Sequence, residues 1–138
     1  MAETGGKSPL TSEIATRMTA GTAGELISGG GVGRSPGRVS VQFTASQDFP
    51  LISVVSMIAP SPDWFVGIHG LPLFRNGQWV DELVVELDPY DAGTDSGATF
   101  QSPNSTTSPQ VPITRLVQPF DVDGVVASMG TFTLRRLN

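Results

Sequence analysis

The chain has no cysteine, one histidine (His69) and one lysine (Lys7). Without cysteine there are no disulfides, no thiol nucleophile and no Cys-ligated zinc site. A single histidine rules out a His-rich metal centre within one chain. Any His-based triad would have to use His69, with a nucleophile and an orienting acid around it, and no nucleophile-elbow sequence is present. Positive charge is scarce too: 8 Lys and Arg stand against 13 Asp and Glu, for a net charge of −5. Phosphate binding relies on clustered positive charge, so a nucleic-acid partner is not expected. No apolar run approaches the ~18 residues of a membrane span. The longest, Leu51 to Pro60, is interrupted by serines. Met1 to Pro9 lacks a basic region followed by an apolar stretch, so no signal peptide is visible there.

The 138 residues amount to one domain, with residues 1–38 and 39–138 as its two zones. Gly (16) and Pro (11) make up about a fifth of the chain, which argues against long helices. In the first zone, Ser8-Pro9 fits an N-cap followed by proline at the first helical position. Leu10, Ile14 and Met18 then share one face, which predicts a short helix over 9–19, ended by Gly21 and Gly24. Ser28 to Gly37 reads as a flexible loop. Its Gly29-Gly30-Gly31-Val32-Gly33 run lacks the Gly-Lys-Ser/Thr ending of a phosphate loop.

From Val39 onward the period is two. Val39, Val41 and Phe43 alternate with polar residues, predicting a strand. Leu51–Ile58 is apolar on both faces, predicting a central strand, and Trp64–Ile68 a third. Arg75-Asn76-Gly77 predicts a turn, because Asn-Gly tolerates positive φ. Trp79–Leu87, Ile113–Val117 and Thr131–Leu137 complete the strands. Gln101–Pro112, rich in Ser, Thr and Pro, predicts a surface loop. Short strands separated by turns, without alternating helices, predict an all-β antiparallel sandwich with one short N-terminal helix.

The acids are clustered. Asp81, Glu82, Glu86, Asp88, Asp91 and Asp95 fall within fifteen residues, with no Lys or Arg between Arg75 and Arg115. Asp63 lies in a separate loop stiffened by Pro60 and Pro62. One reading is a hard-cation site, since Ca²⁺ takes six to eight oxygens from carboxylates, carbonyls and water. The other is a solvated acidic edge that keeps the molecule soluble. The spacing is not that of an EF-hand.

Two strings carry a resemblance. Ala59 to Gly67 (APSPDWFVG) and Pro89 to Gly97 (PYDAGTDSG), the latter followed by Thr99 to Asn104, resemble the spondin domain of F-spondin and mindin. The close match covers about residues 49–104. The resemblance implies a C2-like β-sandwich from an extracellular adhesion family, with one bound Ca²⁺ whose ligands fall on Asp63 and Asp91. A third acidic ligand of the animal proteins falls near Thr44, where this chain has no acid. Thr44, Gln42 or Asp48 are substitutes, and Asp95 is a reserve carboxylate expected to brace its loop through backbone N–H groups. The resemblance also places further strands before a segment like Met1 to Gly5, and the single-domain length suits a microbial member.

The remaining expectations concern individual residues and function. Trp64 and Phe65 are core anchors rather than an exposed binding pair. Tyr90 packs and bonds a loop carbonyl through its hydroxyl, and Arg135-Arg136 is a solvated strand end. The leading expectation is a non-enzymatic, calcium-dependent adhesion module at the cell surface or outside the cell, with a protein or glycan partner. The rival is a structural subunit that pairs strands with a neighbour in a homo-oligomer or fibre. A glycoside hydrolase using paired carboxylates is a weaker third, since it needs two acids at a set gap in a cleft.

Overall fold

The computed structural model describes residues 1–137. The chain forms two compact units, one of Met1–Gly6 with Leu51–Asn138, the other Lys7–Pro50. The expected class is what the structure holds: antiparallel sheets and one short helix.

In the Lys7–Pro50 unit, α1 spans Leu10–Thr19. Pro9 is its N-cap and no side chain caps the helix, so Ser8 does not play the part its position suggests. The C-terminus is built as expected around glycine. Gly21 adopts φ +70°, its N–H bonds Met18 O at 3.0 Å, and Thr22 N–H bonds Arg17 O at 2.9 Å. This is a Schellman closure, which glycine makes without Cβ strain. Val39–Thr44 is not a strand. Val39 and Val41 are about half exposed (46% and 50%). Alternation marks a face, but a strand needs a partner ladder, and among the described residues this unit contains no strand to provide one.

The other unit holds ten strands: β1 Leu51–Met57, β2 Trp64–Pro72, β3 Phe74–Arg75, β4 Gln78–Trp79, β5 Glu82–Glu86, β6 Pro89–Asp91, β7 Thr114–Arg115, β8 Asp121–Val122, β9 Val125–Val126 and β10 Thr131–Arg135. Four form one antiparallel sheet in the order β1-β2-β6-β7. The pairs β5-β10, β3-β4 and β8-β9 form ribbons. The β3-β4 hairpin turns on Asn76 and Gly77 (φ 51° and 79°), as their sequence predicts. Asp123 and Gly124 make the same kind of turn (φ 53° and 82°) between β8 and β9, two strands the hydrophobic pattern did not reveal.

β1 departs from expectation. It lies at an edge of its sheet, not the centre, and Leu51 and Val55 are 60% and 46% exposed. Between Ile52 and Val54 the register shifts, because β2 carries one more residue than β1 there. Gly70, at φ +61°, sits at this bulge, and Ser53 Oγ accepts its N–H at 3.0 Å. The expected Trp79–Leu87 strand is also broken into β4 and β5.

The core centres on Trp64, which is 1% exposed. Its ring meets Phe100 and Phe120 edge-to-face at centroid distances of 5.1 and 5.5 Å, and those two meet each other at 5.6 Å. Such pairs contribute about 0.5–1.5 kcal/mol each beyond area burial. Phe65 is half-buried and stacks on its cross-strand partner Tyr90 at 5.6 Å. A hydroxyl bond from Tyr90 is not among the described contacts.

Candidate metal centre

The β1–β2 loop carries Asp63. Ser61 closes it: its Oγ donates to Ile58 O at 2.5 Å and accepts from Trp64 N–H at 3.2 Å. Trp64 begins β2 directly opposite Asp91, the last residue of β6. Ala92 N–H donates to Asp63 O at 3.2 Å. The two acids are thus lateral neighbours at one end of the sheet. Directly opposed residues on antiparallel strands lie about 5 Å apart, and Asp63 is one residue away from that position, so both carboxylates are within reach of one ion.

Asp63 is fully buried, at 0% exposure. Its Oδ2 accepts from Thr94 N–H (2.7 Å), Thr94 Oγ1 (3.2 Å) and Asp95 N–H (3.0 Å). Its Oδ1 is buried and has no hydrogen-bond partner. Asp91 Oδ1 accepts from Gly93 N–H at 2.7 Å. Desolvation raises the Asp91 pKa above its ordinary value. The Gly93 bond opposes that rise, and the charges of Asp63 and Asp95 add to it. Negative charge is therefore in excess at this point, and one buried oxygen lacks a donor. A divalent cation satisfies both conditions, so the residues present fit such an ion.

Asp95 has the bracing role expected of it. It is 3% exposed, Oδ1 accepts from Gly97 N–H and Oδ2 from Ser105 N–H, both at 2.7 Å. Further backbone bonds pin the loop: Thr107 N–H to Thr94 O at 2.9 Å and Val111 N–H to Gly93 O at 3.0 Å. Gly93 has φ +74°, and a Cβ there would stand 2.1 Å from Val111 O. Gly93→Ala is expected to cost about 1–3 kcal/mol, through left-handed backbone strain and a shifted loop. Thermal melting reads this, and an unchanged melting temperature would mean the loop is not held at that position.

Among the described residues, no group of three or more His, Cys, Asp or Glu side chains is arranged to hold a metal. An ion held by Asp63 and Asp91 draws its remaining donors from neutral oxygens. Thr44, Gln42 and Asp48 belong to the Lys7–Pro50 unit, outside the one that holds Asp63 and Asp91.

The acid run splits into two populations. Asp88 bonds Arg115 at 2.8 Å, Glu82 bonds Arg135 at 3.3 Å, and Arg136 lies 3.7 Å from Asp81. These three are exposed ion pairs. The side-chain bond to Asp88, with its charge, raises the Arg115 pKa. Arg135 and Arg136 thus have specific partners, which inspection of the terminal pair alone did not reveal. Thr94 was also missed. It supplies two of the three donors to Asp63. His69 is exposed, next to the β2 bulge.

Comparison with known proteins bears on this geometry. A family model described as Spondin_N matches residues 1–125. Spondin-2 from Rattus norvegicus is 48% identical over 80 residues, and Spondin-2 from Homo sapiens 45% over 80. Each match covers 58% of this chain and 24% of the relative. Spondin-1 from Gallus gallus is 43% identical over 84 residues, which is 58% of this chain and 10% of that protein. The match thus spans about a quarter or less of the relatives' length.

Proposed function

The chain belongs to the Spondin_N family, and from that premise we propose that it is a non-enzymatic, calcium-dependent binding module that works at the cell surface or in the extracellular space. The observation that carries the ion is the buried Asp63 Oδ1, which has no donor and sits beside an Asp91 whose pKa is raised. Asp63 and Asp91 would hold Ca²⁺, with backbone and solvent oxygens as the other donors. When bound, the ion offsets the repulsion between the two carboxylates and ties the β1–β2 loop to the loop that follows β6. The surface around these loops then meets a protein or glycan partner. The Asp63 side chain is already oriented by Thr94 and Asp95, so little ordering accompanies binding.

The test is calcium titration by calorimetry, with melting in calcium and in chelator. Extracellular modules bind at about 10⁻⁴–10⁻³ M, so millimolar ion is expected to add roughly 1–2 kcal/mol of stability. Asp91→Asn is expected to weaken calcium binding about tenfold or more while the fold is kept. The Gly93 contact survives, because the Asn carbonyl oxygen accepts the same N–H. No heat of binding and no calcium-dependent melting shift in the parent would remove the ion. Parent-like affinity in Asp91→Asn would remove Asp91 as a ligand.

A second reading, subunit pairing through a sheet edge, is favoured by the open edge of β1 and is compatible with the first.

A further inference from the structure

We propose that this chain forms a homodimer in which β1 pairs antiparallel with β1 of a second copy, about a two-fold axis near Ser53. This goes beyond the ion-binding reading and needs no ion.

The two edges of the four-stranded sheet are treated differently by the sequence. At one edge, β7 is two residues long, carries Arg115 and follows Pro112. Short length, charge and nearby proline are the ordinary ways of blunting an edge. At the other edge, β1 runs for seven residues, Leu-Ile-Ser-Val-Val-Ser-Met, with no charge and no proline. The bulge that could twist an edge away lies in the residues of β2, on the inner side. Among the described residues β1 pairs only with β2, so its outer backbone N–H and C=O groups have no ladder.

The register follows from what is free. At the far end, Gly5 lies against Met57, where an added Cβ would stand 2.8 Å from the Met57 sulfur. The open stretch is therefore Leu51–Val55. An antiparallel pair centred on Ser53 sets Leu51 of one copy opposite Val55 of the other, and this pair occurs twice by symmetry. Both side chains are exposed, at 60% and 46%, and share a face. Such a surface is self-complementary, as a two-fold interface requires, and cross-strand apolar pairs are what stabilise a ladder.

Charge favours a second copy at this edge. Each copy carries a net charge of −5. Exposed Glu82 and Glu86 flank the β5 ribbon, whereas β1 brings no charge to the contact. A few residues per side make a small contact, below the ~1,200–2,000 Å² of stable complexes. The dimer is therefore concentration-dependent.

The experiment is sedimentation velocity of the full chain from micromolar to millimolar concentration, in chelator, so that it reads independently of calcium. The parent is expected to move from monomer to dimer. Leu51→Lys with Val55→Lys is expected to remain monomeric throughout. Val84→Lys, at an equally exposed valine on β5 (59%), is expected to dimerise like the parent. Circular dichroism at low concentration verifies that each variant folds. Amide hydrogen exchange on the parent gives a second readout needing no variant: protection of the 51–55 amides is expected to rise with concentration. A parent that stays monomeric, a folded double-lysine variant that still dimerises, or concentration-dependent protection elsewhere than 51–55 would each overturn the proposal.

Discussion

Trp64→Ala is expected to destabilise the protein by about 3–5 kcal/mol, the usual cost of emptying a buried large aromatic site. For a chain of this size that is a fall in melting temperature of roughly 10–20 °C. The indole is the meeting point of Phe100 and Phe120, which come from distant parts of the sequence. Without it, those rings lose their shared neighbour and the loops that carry them lose an anchor. Trp64→Phe separates ring packing from the indole N–H. The Trp64 Nε1 donor is buried with no partner, and an unsatisfied buried donor costs about 1–3 kcal/mol. Removing it offsets part of the lost volume, so the Phe variant is expected to lose less than half as much stability as the Ala variant. Equal losses in the two would mean that the N–H is satisfied in solution. A loss below about 1 kcal/mol in the Ala variant would mean that the site collapses around the gap. Because Trp64 also pairs with Asp91 in the ladder, the Ala variant is expected to bind calcium more weakly as well.

The parts of this molecule that were legible in sequence are those with local causes. The α1 helix follows from a 3.6-residue stripe and a glycine stop, and the β3-β4 turn from Asn76-Gly77. The bracing role of Asp95 follows from the tendency of Asp to bond backbone N–H groups two residues on. What was not legible depends on partners that the pattern does not contain. Val39–Thr44 alternates like a strand yet has no ladder in its unit, and Leu51–Met57 reads as central yet lies at an edge. Hydrophobicity on both faces signals contact with something, not with a particular neighbour. The same limit affected the acids. In the sequence, six carboxylates between Arg75 and Arg115 look alike. Arginines from β7 and β10 then pair with three of them, and backbone donors take up Asp95. Asp63 and Asp91 were legible as a pair only through the two long motifs. Their adjacency is a product of the β2-β6 register, which no local rule supplies.

Asp63 bears both structural and ion-binding loads, and two substitutions are expected to divide them. Asp63→Ala removes the acceptor of two backbone N–H groups and one hydroxyl, all at or near buried positions. Losing a buried charged partner in this way costs about 3–5 kcal/mol, so this variant is expected to melt far below the parent in calcium and chelator alike. Asp63→Asn keeps the size of the side chain and one carbonyl oxygen, which can accept from Thr94 and Asp95. It also replaces the orphaned Oδ1 by an amide group and removes the repulsion with Asp91. In chelator it is therefore expected to melt close to the parent, or above it. In calcium it is expected to show no shift, where the parent gains one. A calcium-dependent shift that persists in Asp63→Asn would exclude Asp63 from the ion's donors. A collapse of Asp63→Asn to the level of Asp63→Ala in chelator would show that the native fold needs the negative charge itself. The orphaned oxygen would then reflect an acceptor of solvent protons or water rather than a seat for a metal.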